Sequence, residues 1–228
     1  MRNRIQFYSL LLMGLIYHSA ALISAEFTVS SASFQPNDSS ISISVMLSNP
    51  SSASINLAAF SFELTVTPIS PRRVEFDPLS QPNSLGDSNY IFFGNSSSLN
   101  TPLTPWSVKS TGGGVNNTIV FSDSTDTTSN VSLAANSSKL LANLNLVPGT
   151  GLNRPQAGDV YQLSFLSNGT SIFDENLNPI SFTTGSGSLT VPVPEPSSYM
   201  MVTLAFCVLL LKLRFKARKL SNLQATSM

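Results

Sequence analysis

The chain has 228 residues with 12 basic and 12 acidic side chains, enough for one domain with short appended segments. The zero net charge hides an asymmetry: residues 26–196 hold all 12 acidic groups but only five basic ones, Arg72, Arg73, Lys109, Lys139 and Arg154. An acidic middle argues against nucleic acid as a partner, because phosphate binding needs a basic face.

The first element is a leader, residues 1–25. Arg2 and Arg4 form a positive start, Leu10 to Tyr17 a short apolar run, and small residues follow. This three-part order is that of a secretory signal peptide. Cleavage is expected after Ala25, with Ala21 as the alternative.

Residues 26–191 read as an exported all-β domain. Period-two alternation recurs, which predicts strands with one face to a core and one to water. Ile41, Ile43, Val45 and Leu47 share a side, as do Phe60, Phe62, Leu64 and Val66. Leu140, Ala142, Leu144 and Leu146 form a third set, and Tyr161, Leu163 and Phe165 a fourth. Shorter apolar pieces stand at Val74–Phe76, Tyr90–Phe93, Ile119–Phe121, Ile172–Phe173, Ile180–Phe182 and Leu189–Val193. Gly, Pro, Ser and Asn punctuate them. About nine or ten strands suit a β-sandwich of immunoglobulin-like breadth. The phase of the alternation changes between Leu57 and Phe60, which predicts a bulge or bend near Ala58 and Ala59. Residues 78–87 and 96–114 read as loops. Trp106, the only Trp, is either a contact residue on the second loop or a core plug beneath it.

The chemistry of this middle is narrow. His18, the only His, lies in the leader, and Cys207, the only Cys, lies in the C-terminal apolar run. Residues 26–191 therefore lack the groups of Ser-His-Asp and Cys-His mechanisms and of common zinc sites. Gly112–Gly114 precede Val115 and Asn116, so they form no phosphate cradle. Asp123, Asp126, Asp159, Asp174 and Glu175 remain. They read as turn-forming or solvated acids, without the spaced ligands of a calcium loop. No catalytic residue, metal or cofactor is expected. The alternative is a carboxylate-based carbohydrate-active module or a calcium-dependent binding module.

The C-terminus has three parts. Residues 192–198 form a linker in which Pro194 and Pro196 hold Glu195 in an extended chain. Residues 199–213 form a single expected transmembrane helix. Its apolar run of 13 residues, Tyr199 to Leu211, spans about 20 Å as helix, short of a roughly 30 Å hydrocarbon core. Flanking residues from Ser197 to Phe215 lengthen it to 19. The tail, residues 214–228, is basic, and Lys212, Arg214, Lys216, Arg218 and Lys219 form a membrane stop on the cytoplasmic side.

Val193-Pro194-Glu195-Pro196-Ser197, the short apolar segment and the cations resemble the PEP-CTERM sorting signal of exported bacterial proteins. The resemblance implies recognition of Pro194, Glu195 and Pro196 by a membrane-embedded exosortase. It also implies passage through the inner membrane, then display on the surface or in the matrix of a bacterium that makes exopolysaccharide. The middle, from "FTVSSASFQPNDSSISISVMLSN" onward with "LLANLNLVP" and "AGDVYQLSF", is similar to cohesin-like sandwiches. The expected protein is a non-enzymatic surface component that binds a surface polysaccharide or another surface protein. An unprocessed single-pass anchored protein is the other alternative.

Overall fold

Alternation of side chains in the sequence becomes alternation of burial in the structure. The computed structural model describes residues 24–100, 104–111, 114–126, 131–193, 204–209 and 212. The chain divides into two units, residues 1–191 and 192–228. Fourteen strands are described in the first. They are β1 (Ser24–Val29), β2 (Ala32–Ser33), β3 (Ile41–Asn49), β4 (Ile55–Leu57), β5 (Ala59–Val66), β6 (Val74–Phe76) and β7 (Trp106–Thr111). Then come β8 (Val115–Ser124), β9 (Val131–Leu133), β10 (Ser137–Pro148), β11 (Val160–Phe165), β12 (Ser171–Phe173), β13 (Ser181–Thr184) and β14 (Gly187–Thr190).

Two sheets face each other. One has the order β13-β1-β3-β10-β6; the other runs β2-β14-β11-β5-β8-β7, with β12 also paired to β5. A small third sheet joins β4 to β9. Among the described strands, pairing is antiparallel except for β1 with β13 and β14 with β2. The reason is topological. Each of the segments β1–β2 and β13–β14 crosses from one sheet to the other, and the two segments run side by side.

The predicted core faces are buried. Ile43, Val45, Leu47, Phe62, Leu64, Val66, Tyr161 and Leu163 are each at most 1% exposed. Phe165 is half-buried and packs edge-on against Phe62, with ring centroids 6.0 Å apart. Phe60, Phe62 and Phe121 stack nearly parallel, at 5.5–6.3 Å between centroids. Each such buried ring contributes about 2–3 kcal/mol by area alone. The predicted bend is present: after β4 the chain turns at Ala58 and enters the second sheet as β5.

Three expectations are corrected. The alternation of β10 breaks at a bulge between Leu140 and Ala142. Leu140 then stands opposite Met46, outside the main core, while Leu141 turns inward and is fully buried. One extra residue reverses the phase of everything before it. Tyr90–Phe93 forms turns, not a strand, and buries Tyr90, Ile91 and Phe92 as a plug. Residues 96–114 are not all loop, because they contain β7. Its two Ser, one Lys and one Thr disguise an edge strand with one half-buried side.

Candidate binding cleft

Between Phe76 and Trp106 the chain crosses from the edge of the first sheet to the edge of the second. Beyond its short pairing with β6, β10 has backbone groups that need partners. Side chains of the crossing supply them. Gln81 Nε2 donates to the Asn145 carbonyl at 2.9 Å, and the Asn145 N–H donates to Gln81 Oε1 at 2.8 Å. The Asn143 N–H donates to Ser84 Oγ at 2.7 Å. Farther along, the Ile91 N–H donates to the Leu140 carbonyl, and the Leu140 N–H to the Asn89 carbonyl. Gln81 and Ser84 thus replace part of a strand without the alternation that would announce one.

Asp123 of β8 pins the other end of the crossing. Its Oδ2 accepts from the Tyr90 and Ser96 hydroxyls, each at 2.6 Å, and its Oδ1 from the Ser98 hydroxyl at 2.7 Å. Ser97 Oγ and Ser124 Oγ share a further hydrogen bond of 2.7 Å. Asp123 is only 6% exposed, and a carboxylate is tolerable there because hydroxyls replace its water. Burial, then the Asp123 charge, pushes the Tyr90 phenol well above its ordinary value. Tyr90 therefore stays protonated and keeps donating.

The reading of these acids as solvated or turn-forming is corrected for two of them. Asp123 is a buried hub. Asp159, also 6% exposed, lies 3.0 Å from Arg72 and accepts from the Gln156 N–H at 2.8 Å and the Tyr161 hydroxyl at 3.3 Å. Burial, followed by the Asp159 charge, raises the Tyr161 phenol too. Asp174 does form a turn: its Oδ1 accepts from the Asn176 and Asn178 N–H groups, each at 2.8 Å. Those bonds, the one from the Asn178 backbone foremost, hold its carboxyl below the ordinary value. Asp126 and Glu175 are exposed. Among the described residues no three His, Cys, Asp or Glu side chains group as a metal site.

Beside the crossing lies a cleft of about 370 Å³, open to solvent. Trp106 and Phe121, register partners across β7 and β8, form its aromatic wall. Leu79, 89% exposed, also lines it, and Ser80, Asn83 and Thr104 add polar groups. The described lining includes no Asp, Glu, Lys or Arg. Trp106 combines its two sequence roles: it is half-buried against the core and faces the cleft. Sequence reasoning missed this cleft because Leu79–Leu85 and Trp106 are far apart in the chain. The sole Trp was the only signal.

The sorting and processing residues separate. Pro194, Glu195, Pro196, Arg214, Lys216, Arg218 and Lys219 lie outside the described residues, as does most of the leader. Of the expected transmembrane segment, residues 204–209 and Lys212 are described, and they are helical and exposed. Among the described residues no helix is long and apolar enough to cross a membrane. Ala25 sits inside β1, opposite Phe182 of β13, and is fully buried.

No protein-family model matches the chain, and no curated protein does. Solved structures do match. The chain is similar to the sixth cohesin of Acetivibrio cellulolyticus scaffoldin B, solved in complex with a Cel5 dockerin. That match has a TM-score of 0.50 and 15% identity, over 74% of this chain and 99% of that one. It is also similar to a cohesin, CaCohA2, from Clostridium acetobutylicum, at TM-score 0.47 and 16% identity, over 76% of this chain and 94% of that one. A non-cellulosomal cohesin of the archaeon Archaeoglobus fulgidus matches at 0.45 and 14%, over 77% and 96%. At 15% identity the likeness is one of fold, and residues 24–191 form a cohesin-like β-sandwich.

Proposed function

We propose that this chain is an exported, non-catalytic binding or structural component of a bacterial surface or extracellular matrix. One observation carries the non-catalytic part: the two buried carboxylates are spent within the fold. Asp123 holds the crossing against β8, and Asp159 holds Arg72 and the Gln156 N–H. A general acid or base needs a proton site that a substrate can reach. These oxygens already face donors of the protein itself. The cohesin-like fold supports a binding role, since the scaffoldin B cohesin was solved in complex with a dockerin, a protein partner. Another surface protein is thus the favoured ligand.

The leader and the tail carry the sorting part of the proposal. Pro194-Glu195-Pro196, the apolar run and the cations serve as a temporary anchor, processed by an exosortase-type enzyme at the inner membrane. Display beside exopolysaccharide follows. Mass spectrometry of the surface-exposed protein tests this directly: the peptide from Lys212 to Met228 is expected to be missing. Its recovery intact from surface material would favour the unprocessed anchored protein.

A second ligand reading has its own observation. The cleft beside Trp106 is uncharged along its described lining, with an aromatic wall and small polar groups at its rim. An uncharged saccharide segment suits such a wall, stacking on the ring while its hydroxyls meet the rim. Trp106→Ala should weaken binding to purified exopolysaccharide about tenfold or more if the cleft holds it. Unchanged polysaccharide retention, with protein-partner binding intact, leaves the protein ligand standing alone.

A further inference from the structure

We propose that the leader is cut between Ala21 and Leu22, so that the mature chain begins four residues before Glu26. The inference rests on the export reading of residues 1–25 and concerns which bond is cut. Ala25 belongs to the core: it is 0% exposed and clusters with the buried apolar residues of both sheets. Ser24 stands opposite Ser181 and Ala25 opposite Phe182 in the parallel pairing of β1 with β13. Phe182 in turn packs edge-on against Phe27 at 5.3 Å. A cut after Ala25 would remove two of the four register pairs that join β13 to the sheet.

The new terminus would also be badly placed. Glu26 lies between Thr183 of β13 and Ser48 of β3, in a strand flanked on both sides. Its nitrogen would become an ammonium within a hydrogen-bonded ladder, where a charge without matching partners is costly. A cut after Ala21 keeps Ser24 and Ala25 in β1. The local sequence agrees independently. The pattern small-x-small is met by Ser19-Ala20-Ala21, whereas Ala25 has the bulky Ile23 two residues before it. In the step itself, water adds across the Ala21–Leu22 amide. The bond to the Leu22 nitrogen breaks, a carboxylate forms on Ala21 and an ammonium on Leu22. The agent is a membrane signal peptidase that reads small side chains.

The test is N-terminal sequencing and intact-mass measurement of the full-length chain expressed in an exporting bacterial host. The expected mature terminus is Leu22. Ala21→Leu should abolish that terminus and make precursor accumulate, because the small residue before the cut is lost. Ile23→Arg, which blocks a cut after Ala25 by its place before that bond, should leave the Leu22 terminus unchanged. A wild-type terminus at Glu26 overturns the inference while the export reading survives. A terminus at Met1 on exported protein likewise overturns the cut, whereas protein found only in the cytoplasm with Met1 in place overturns the export reading itself.

Discussion

Asp123→Ala is the sharpest test of how the sandwich is closed. The substitution removes an acceptor reached by three hydroxyls at 2.6, 2.6 and 2.7 Å. A hydrogen bond to a charged group contributes about 1.5–3 kcal/mol, but the three are coupled and do not add. Ser98 is half-buried and can regain water, so its loss is small. The Tyr90 hydroxyl and Ser96 are 1% and 3% exposed as residues and would stay unpaired, at about 1–3 kcal/mol each. The expected loss is therefore about 3–5 kcal/mol, a large share of a domain's roughly 5–15 kcal/mol. Denaturant unfolding measures it, and hydrogen exchange locates it. The Ile91 and Leu140 amides, which pair along the crossing, should exchange much faster, while the Val45 and Leu47 amides of β3 change only by the global shift. Asp123→Asn keeps the size and one acceptor oxygen, so it should cost less than half as much. A loss under about 1 kcal/mol for the alanine variant, or faster exchange spread evenly over both sheets, would refute the assignment of Asp123 as the pin of the crossing.

Three further outcomes are expected. Tyr90 and Tyr161 have phenols raised above their ordinary value of 10.0, so their contribution to stability is complete below that pH and declines as pH rises above it. Urea titrations between about pH 9 and 11.5 should show this fall, and Tyr90→Phe should flatten it while lowering stability at pH 7. Asp174, held below the ordinary carboxylate value, contributes stability that is present above about pH 4 and lost as pH falls through its folded value. Asp174→Asn should make the acid arm of a thermal-stability profile shallower; an unchanged arm would discount the turn. Gly187→Ala would bring a methyl group to 2.9 Å from the Val29 and Ser30 carbonyls, where β14 lies against the β1–β2 crossing. Backbone cannot yield as a side chain can, so calorimetry should record a loss of about 1–3 kcal/mol.

How much of this was legible in advance depends on the range of each interaction. The faces of β3, β5 and β11 were readable from Ile41–Leu47, Phe60–Val66 and Tyr161–Phe165, because strand alternation is local and has period two. The same reasoning failed at Leu140, since a bulge leaves no mark on composition but reverses the phase. It failed at Tyr90–Phe93 because a short apolar piece is equally consistent with a strand and with a buried turn. Gln81 and Ser84 act as strand substitutes only because β10 happens to lack a neighbour beside them.

By itself, the sequence determined the all-β class and the want of His and Cys in residues 26–191. It also held the three-part ends on which the sorting proposal depends. Those are matters of composition and short-range order. Tertiary structure alone decided that Asp123 is buried, that Ala25 belongs to the core and that Trp106 faces a cleft. The physical reason is distance along the chain. Asp123 meets Ser98 and Tyr90 across 25 and 33 residues, and Ala25 meets Phe182 from the far end of the domain. A carboxylate in the sequence looks the same whether water or three hydroxyls will solvate it; only the packed sheets determine which.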